Sequence, residues 1–533
     1  MKKSAHILLI LLALSVLARA EISVNGGIQH DGLFGVNDAA ISAEYDFPYL
    51  SNSYLDLGIQ SEYVTAGMRL EVMPKPMPGF ESSFAGAGIG NLFVQGRYKW
   101  ATITVGDVYA QYGSGLIMRL YEERALGIDN SLRGGKIVLK PYKGLHFEAI
   151  GGKQRVFWDC YNTSWGLDYT KGAVVGGNAE LEIDQWSEQM QQRDIRLLIG
   201  LSYVSKYEPT DTVYASYSPL SIYNMPRWTA GADARIKLQI KDWSVLAEYA
   251  RRANDPSADN AFSYKDGEAL LLSGSYSRKG LSVLLQMKRS ENMSFRSDRM
   301  KRGTGAMLNY LPAFAATHTY ALAALYPYAT QTAGEWAWQG EIRYTWKKKT
   351  PFGGRYGTTM HLNASHIRGI GDKWLSVSKE AYYTDIHIDL HKRITEQWWL
   401  NAMYMYQTYN QQVVEGHGDI IRSNIFVLDA KYQINDNVAM RAEVQYLYSR
   451  QGEGQWIYGL YELSLWNCLT LSASDMYNIG GKNYWQAGAT FQMKGHRLQA
   501  GFVRQRAGYN CSGGVCRYVP AQKGATINYS YNF

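Results

Sequence analysis

The amino-acid sequence predicts an all-β fold, namely a large, closed, antiparallel transmembrane β-barrel with short turns at one end and long loops at the other. Three observations support this prediction. Polar and apolar residues alternate through nearly the whole chain, short and long connections alternate along it, and the last nine residues form a two-sided strand with an aromatic end. Together they predict a single barrel domain over residues 21–533.

The closing strand of the barrel is predicted over residues 525–533, A-T-I-N-Y-S-Y-N-F. Ile527, Tyr529, Tyr531 and Phe533 share one face of this strand, and polar residues occupy the other. One face can therefore contact hydrocarbon and the other water, and lipid offers no partner for an unpaired sheet edge. A half-buried strand of a soluble protein that happens to end on phenylalanine is the alternative.

Residues 1–20 are predicted to be a secretory signal peptide. Lys2 and Lys3 precede an apolar run at 7–17, and Ala18-Arg19-Ala20 gives the small-x-small pattern before the cleavage site. No other stretch approaches the roughly 18 apolar residues of a spanning helix, which excludes an inner-membrane protein. Removal of the three basic residues of this segment lowers the formal net charge from +8 to +5, too little to predict nucleic-acid binding.

Alternation recurs in segments of about ten residues that are separated by turn residues. In residues 232–240 the even positions are apolar, whereas the odd positions are Asp233, Arg235, Lys237 and Gln239. A soluble core would not accommodate four polar side chains on one face, but a water-filled lumen would.

Connections counted back from Phe533 alternate between tight periplasmic turns and long external loops, as single-chain barrels require. Tight turns are predicted at 494–496, 466–468, 435–437, 395–397, 278–280 and 142–144. Long loops are predicted at 511–520, 413–419, 369–379, 290–334, 254–266, 207–226 and 157–171. The count gives about 24 strands, within a range of roughly 22 to 26, and an outer-membrane protein with both termini in the periplasm.

One stretch, between predicted strands at 101–107 and 135–140, breaks the alternation and is dense in glycine and paired charges. Residues 116–126 are predicted to form a short helix, with Arg119 and Glu123 one turn apart. Such a helix suits the inside of a barrel, so this loop is predicted to fold into the lumen and narrow it. A solvated external loop is the alternative. The pore-constriction candidates are Arg119, Glu122, Glu123, Arg124 and Asp129. These side chains are expected to face lumen charges such as Arg235, Lys237 and Glu248.

The same stretch has a distinctive sequence at 106–134, namely G-D-V-Y-A-Q-Y-G-S-G-L-I-M-R-L-Y-E-E-R-A-L-G-I-D-N-S-L-R-G. It is followed by G-K-Q-R-V-F-W at 152–158. Together with S-N-S-Y-L-D-L at 51–57 and Y-P-Y-A-T-Q at 326–331, it resembles an uncharacterised family of porin-like, single-domain outer-membrane β-barrel proteins from the Gram-negative Bacteroidota. The resemblance implies fold and localisation but no activity or site residues. The chain's ending likewise resembles that of bacterial outer-membrane proteins, which implies that Phe533 belongs to the signal read by the barrel-assembly machinery.

The sequence indicates a protein that is not an enzyme and has no cofactor. Asp385, His387, Asp389 and His391 share one strand face, and such side chains are common ligands of divalent ions. Because ions usually require ligands from more than one strand, a polar stripe facing lumen water is the favoured interpretation, and no metal site is predicted. The Gly-x-Ser-x-Gly motif of serine hydrolases is absent, and no catalytic residue is predicted.

Cysteines and a basic loop complete the candidate features. Cys511 and Cys516 flank S-G-G-V at the tip of a predicted external hairpin, where a disulfide is predicted. Cys160 is assigned to the outer side and Cys468 to the periplasmic side. The loop after Ser290 carries basic residues that could pair with phosphates or carboxylates of surface glycolipid, although a solvated loop is the alternative. These residues are Arg296, Arg299, Lys301 and Arg302.

The sequence therefore predicts an outer-membrane channel or transporter that passes small polar solutes through a loop-constricted barrel. The alternative is a non-enzymatic scaffold or accessory subunit of an outer-membrane secretion, assembly or polysaccharide complex, because both functions need the same strands and the same inserted loop. Expected partners are outer-membrane lipid, surface glycolipid, the barrel-assembly machinery and possible subunits of an outer-membrane complex, but no nucleic acid.

Overall fold

A computed structural model describes residues 22–158, 167–209, 213–215 and 218–533. The predicted signal peptide and Cys160 lie outside these ranges. The described chain forms a closed antiparallel barrel of 24 strands, which confirms the predicted fold class and strand number. A short strand, Leu167–Tyr169, pairs with the end of one barrel strand and joins the same sheet.

The barrel strands are numbered β1 to β24 in chain order. The first twelve are β1 Ser23–Gly35, β2 Tyr49–Gln60, β3 Val64–Met73, β4 Gly86–Tyr98, β5 Ala101–Val108, β6 Leu132–Leu139, β7 Leu145–Trp158, β8 Ala173–Glu182, β9 Ile195–Tyr207, β10 Trp228–Ile240, β11 Trp243–Arg252 and β12 Gly267–Arg278. The second twelve are β13 Leu281–Glu291, β14 Gly334–Trp346, β15 Thr358–Ile370, β16 Val377–Arg393, β17 Trp398–Asn410, β18 Ile420–Asn435, β19 Val438–Ser449, β20 Trp456–Leu465, β21 Leu469–Asn478, β22 Asn483–Met493, β23 His496–Gln505 and β24 Gln522–Asn532.

The first and last strands close the barrel. β1 pairs antiparallel with β24, from Gly35 opposite Gly524 to Gly27 opposite Asn532. Beyond the ladder, Gly26 and Phe533 exchange two backbone hydrogen bonds of 3.0 Å each. The 24 described barrel strands therefore form a closed ring, as a strand protein in a membrane requires because hydrocarbon cannot hydrogen-bond to an exposed backbone.

Connections at the two ends of the barrel differ in length, as predicted. One end, called the turn end, holds both described termini and tight connections such as those at 241–242 and 494–495. Two turn-end connections are longer, at 183–194 and 347–357. The other end, called the loop end, holds the long connections, including 109–131, 253–266 and 292–333.

Helix is confined to the connections. A 3-10 turn Ile183–Trp186 and helix α1 Glu188–Gln192 lie at the turn end, and helix α2 Gln411–Val414 lies in a loop. Short 3-10 turns also span Ser82–Phe84, Arg124–Leu126 and Ala258–Asn260. Within the described residues no helix is long and apolar enough to cross a membrane.

The outer surface of the barrel is apolar. Its exposed residues include Val94, Val105, Leu201, Leu285, Leu428, Val444 and Phe502. Aromatic pairs on neighbouring strands lie near both ends, for example Trp243 with Tyr276 at the turn end (4.7 Å) and Tyr207 with Trp228 at the loop end (5.0 Å). An apolar band between two aromatic girdles is typical of outer-membrane barrels, because these rings suit the lipid–water interface.

The inner surface of the barrel is polar, and its water exposure changes along the strands. On β10, Asp233 and Arg235 point inward and are buried, whereas Lys237, one step nearer the turn end, is exposed. On β18, Val427 and Asp429 are buried and Lys431 is exposed. The loop half of the lumen is therefore filled, and the turn half is open to water.

Candidate functional site

Two loop-end segments fill the lumen, and we call residues 109–131 and 292–333 together the plug. The Arg119 backbone N–H donates to the Leu308 carbonyl at 2.7 Å, and the Tyr310 N–H donates to the Gly115 carbonyl at 2.9 Å. The Asn309 side chain donates to the Leu116 carbonyl at 3.0 Å. The sequence predicts the inward fold of the first segment, whereas it treats the second as an external loop, and there the structure differs.

The plug has an apolar core that is continuous with the barrel wall. Tyr112, Leu116, Ile117 and Met118 are fully buried. They belong to one cluster with plug residues of the second segment and with inward residues of the wall, including Leu308, Leu322, Val174, Val204, Leu271 and Ile425. This packing orders the two segments, because burial of apolar side chains is the main favourable contribution to folding.

Polar side chains of the wall hold the backbone of the plug. Lys206 donates to the Arg296 carbonyl at 2.7 Å and Gln407 donates to the Tyr326 carbonyl at 3.1 Å. Glu248 accepts from the Ser114 N–H at 2.9 Å, and Gln445 accepts from the Leu322 N–H at 2.8 Å. These contacts satisfy loop backbone groups that have been removed from water, which is the condition for burying an irregular segment.

The structure brings three predicted constriction residues, Glu122, Arg124 and Asp129, into an ion-pair network with the barrel wall. Asp129 is buried and pairs with Arg69 of β3 and Arg155 of β7. Glu122 pairs with Arg69 at 2.6 Å. Burial raises the pKa of Asp129, but Arg155 and Arg69 outweigh burial and lower it to about 2.

The outer part of the same network is half-buried. Arg124 reaches Asp56 of β2 at 2.8 Å, and Glu122 lies between Arg124 and Arg69. Glu71 of β3 completes the network by pairing with Arg69 at 2.7 Å and with Arg155 at 2.5 Å. The loop tip is thus fixed to β2, β3 and β7 by charge.

The two remaining candidates have different surroundings. The Arg119 guanidinium stacks on the rings of Tyr121 and Tyr310, at 4.5 and 4.0 Å from their centroids. Glu123 is half-buried and makes no ion pair with any residue that the structure describes. Arg235 pairs with Asp233 of its own strand, β10, and with Glu180 of β8. Among the described residues, the five candidates form no ion pair with Arg235, Lys237 or Glu248.

The predicted helix at 116–126 is also wrong. This segment forms an isolated bridge between Gln111 and Arg119, then a small hairpin of Glu122–Glu123 with Ile128–Asp129 around the 3-10 turn Arg124–Leu126. The left-handed conformation of Gly127, with φ of 68°, lets the hairpin reverse. The prediction relied on the one-turn spacing of Arg119 and Glu123, whereas contacts with the wall and with the second plug segment decide the conformation.

The basic loop does not present all of its arginines to the surface. Arg296 and Arg299 are buried within the second plug segment and its surroundings. Arg296 pairs with Asp259 at 3.3 Å, and Arg299 pairs with Glu208 at 3.0 Å. The expectation that these two could contact surface glycolipid is therefore wrong. Lys301 is half-buried and Arg302 is exposed.

A disulfide-bonded hairpin covers the plug at the loop end. Cys511 and Cys516 are joined by a disulfide between strands Gly508–Ser512 and Val515–Val519. The Tyr310 hydroxyl donates to the Gly513 carbonyl at 2.7 Å, and the Thr330 N–H donates to the Gly514 carbonyl at 3.1 Å. Cys468 lies in the turn-end connection at 466–468, at the opposite end of the barrel from the hairpin.

Phe533, the proposed assembly signal, lies at the turn end and is half exposed. Its ring stacks on Tyr531, with 5.6 Å between centroids. This position suits an interfacial aromatic residue, while its role in assembly stays a prediction.

A histidine and carboxylate cluster lies beneath the plug on the inner face of β14 to β16. It contains Asp385, His387 and Asp389 of the predicted stripe, but His391 points instead to Asn401, 2.7 Å away. Sequence reasoning missed Glu341, His361 and His318. His361 could have been found from strand register, because it lies directly opposite Asp389. His318 belongs to the plug, so no strand pattern predicts its position.

The open half of the lumen, which we call the vestibule, reaches the turn end. Its exposed inward side chains include Lys237, His391, Lys431, Gln486 and Arg497.

A closed barrel with an apolar outer surface and a polar, plugged lumen defines an outer-membrane β-barrel protein. The chain belongs, over residues 1–533, to a family of unknown function, DUF6029. No curated protein matches the chain.

Solved structures with a similar fold are distant in sequence. The siderophore receptor PirA from Pseudomonas aeruginosa is 8% identical, with 97% of this chain and 81% of that chain covered and a TM-score of 0.44. A mutant of the ferric enterobactin receptor PfeA from the same organism is 9% identical over 96% and 81%, with a TM-score of 0.44. The Pseudomonas aeruginosa outer membrane protein OpdK is 13% identical over 80% and 99%, with a TM-score of 0.37.

Proposed function

We propose that the protein is a non-enzymatic outer-membrane channel or transporter for small polar solutes, and that solutes pass when the plug moves away from the wall. The observation that carries this proposal is the division of the lumen into a plugged half and a polar, water-exposed vestibule. Scaffolding alone does not require such a vestibule, whereas a passage for polar solutes does. In this proposal the turn end faces the periplasm.

The contacts that fix the plug support a movable rather than a permanent closure. Buried ion pairs such as Asp129 with Arg155 lose hydration when they form and regain it when they separate. Apolar contacts of similar area regain no favourable hydration when they separate, so nothing offsets the free-energy cost of exposing them to water. The charged attachment of the loop tip therefore lowers the cost of its release into water. Once released, the five constriction candidates would line the opened passage and influence which ions pass.

A second function, that of a scaffold or accessory subunit, is favoured by the apolar core of the plug. Leu116, Ile117, Leu308 and Leu322 are fully buried between the two plug segments and the wall. A core of this kind resists movement, because separating it would expose apolar surface. The loop end would then serve as a binding face for other subunits of an outer-membrane complex.

Contacts with the cell envelope follow from either function. Outer-membrane lipid would surround the apolar band, and the barrel-assembly machinery would act on the chain during insertion. The exposed Arg302 and the half-buried Lys301 on the loop end are the remaining candidates of the basic loop for contact with surface glycolipid.

The experiment that separates the two functions is conductance of the purified protein in planar bilayers after the plug has been shortened. Replacement of residues 292–333 by a short Gly-Ser linker should leave β13 and β14 as a hairpin and remove the larger part of the plug core. We expect the parent to conduct rarely and this variant to conduct steadily. The matched control shortens the exposed residues 416–419 of another loop-end connection and should behave as the parent.

A folded, heat-modifiable barrel that lacks 292–333 but still does not conduct would contradict the transport proposal. Stoichiometric co-purification of another envelope protein with the parent, lost in the same variant, would then favour the scaffold. Arg119→Ala with Arg124→Ala in the shortened barrel should shift selectivity toward cations, because two positive charges leave the passage.

A further inference from the structure

Three side chains on two neighbouring strands converge beneath the plug. His361 of β15 and Asp389 of β16 are direct register partners, and His387 is the next inward residue of β16. Asp389 Oδ2 lies 3.4 Å from His361 Nδ1 and 3.5 Å from His387 Nε2. One ligand atom from each of the three residues lies within 4.8 Å of the other two. The usual requirement that ligands come from more than one strand is met.

The spacing of these atoms fits a shared ion better than hydrogen bonds. Distances of 3.4 and 3.5 Å exceed those of the hydrogen bonds that Asp385 makes nearby, at 2.6 and 2.8 Å. Ligand atoms bonded to a tetrahedral zinc ion at about 2.0–2.1 Å lie roughly 3.4 Å apart. Neighbouring ligands of an octahedral ion at similar bond lengths lie only about 3.0 Å apart. The two separations at Asp389 are therefore closer to the tetrahedral value than to the octahedral one.

The orientation of His387 is fixed by a second carboxylate. His387 Nδ1 lies 2.8 Å from Asp385 Oδ1, so a proton on Nδ1 leaves the Nε2 lone pair directed toward Asp389. A histidine held in this way by a carboxylate is the usual arrangement behind a metal ligand, because it fixes the tautomer and raises the basicity of the coordinating nitrogen. Asp385 is fully buried and has no direct access to water.

The cluster is accessible from the vestibule and carries negative charge. The His361 and Asp389 side chains are 28% and 13% exposed, whereas His387 is 3% exposed. Glu341 Oε2 lies 3.7 Å from His361 Nε2 and adds a third carboxylate to those of Asp385 and Asp389. Of the two described residues in register with His361, Asp389 is acidic and Arg343 is basic and exposed. A cation entering from the turn end is therefore attracted to this position.

We propose that His361, His387 and Asp389 bind one divalent transition-metal ion of zinc-like tetrahedral preference, with the fourth position open to water in the vestibule. This site does not depend on the transport proposal, since a scaffold barrel could carry it equally well. It also has a link to the plug, because Asp385 Oδ2 lies 2.6 Å from Nε2 of His318. Ion binding would fix the His387 and Asp385 pair that holds this plug residue.

The test is a Co²⁺ titration of the purified, folded full-length protein in detergent, followed by visible absorption. Tetrahedral Co²⁺ absorbs far more strongly than octahedral Co²⁺, so coordination geometry is read directly. We expect one ion per chain with a tetrahedral spectrum that added Zn²⁺ abolishes. His361→Gln and Asp389→Asn should each weaken binding by at least about tenfold, and Asp385→Asn by about 10–100-fold.

The matched control is His391→Gln, the next inward histidine on the same strand, which should bind as the parent. His361→Gln changes a partly exposed residue on a separate strand, so the test does not depend on variants of buried His387. Heat-modifiability on gels reports that each variant is folded. Absence of binding, an octahedral spectrum, or binding that survives all three substitutions in folded protein would overturn the proposal and leave the cluster as a polar stripe.

Discussion

The side-chain amide of Asn309 donates a hydrogen bond to the backbone carbonyl of Leu116 at 3.0 Å and joins two loops whose residues are 193 positions apart in the chain. The same amide nitrogen donates to the Met293 carbonyl at 2.7 Å, and the amide oxygen accepts from the Phe295 N–H at 3.1 Å. One buried side chain therefore satisfies backbone groups in both plug segments. The plug is a single packed unit rather than two independent loops.

Asn309→Ala should loosen the plug without unfolding the barrel. The substitution leaves three buried backbone groups without partners, each at a cost of about 1–3 kcal/mol. Hydrogen exchange should accelerate in 109–131 and 292–333, while the strands keep their protection. Gln412→Ala, which removes an exposed side chain, is the control. Unchanged exchange in the first segment would contradict the inferred coupling.

Arg155→Ala should destabilise the attachment of the loop tip strongly. Arg155 is buried and pairs with both Glu71 and Asp129, so its removal leaves buried carboxylates with less compensation, at about 3–5 kcal/mol. Arg251→Ala removes an exposed pair with Asp266, which water screens, and should change the stability little. Urea unfolding in detergent measures both. Similar losses for the two variants would show that burial of the network is unimportant.

Acid should weaken the same network over a defined pH range. The pKa of Asp129 is lowered from its ordinary value of 3.8 to about 2. A lowered carboxyl pKa stabilises the folded state above the unfolded-state value, and this contribution is lost as pH falls through the folded value. We expect about 2 kcal/mol to be lost between roughly pH 4 and pH 2. The pH dependence of urea unfolding measures it, and Asp129→Asn should reduce the slope in that range.

Thiol labelling should assign the two ends of the barrel. If the turn end is periplasmic, a membrane-impermeant reagent should reach Cys511 or Cys516 in whole cells after mild reduction. Cys468, in the turn-end connection at 466–468, should react only after the outer membrane has been breached. Cys468→Ser is the control, because any labelling that remains in this variant does not come from Cys468. Strong labelling of Cys468 in intact cells would reverse the assignment.

Phe533→Ala should reduce the amount of folded barrel in the membrane. The Phe533 ring is half exposed at the turn end beside Tyr531, where it can occupy the lipid–water interface, and its backbone extends the closing ladder to Gly26. Heat-modifiability of the membrane fraction measures the yield. Phe533→Tyr should restore most of it, because it keeps an aromatic ring. Equal yields of all three proteins would remove the proposed role in assembly.

The sequence by itself determined the barrel. Alternation over segments such as 232–240 fixes which side chains face lipid, because successive residues of a strand point to opposite faces, and this rule holds whatever the neighbours are. The lengths of connections then fix strand number and direction, since every second connection must return at the same end. The density of glycine and charged residues in 109–131 also predicted that this segment is not a strand.

Only the tertiary structure decided the contents of the lumen. The inward fold of 292–333 has no periodic signal, because its buried residues contact the other plug segment and distant wall strands rather than each other at regular spacing. For the same reason Asp129 meets Arg69 and Arg155 instead of the expected wall charges. His318 approaches Asp385 only because the plug descends to it. The local sequence pattern is enough to identify a strand. The contents of the lumen depend instead on contacts between segments that are far apart in the chain.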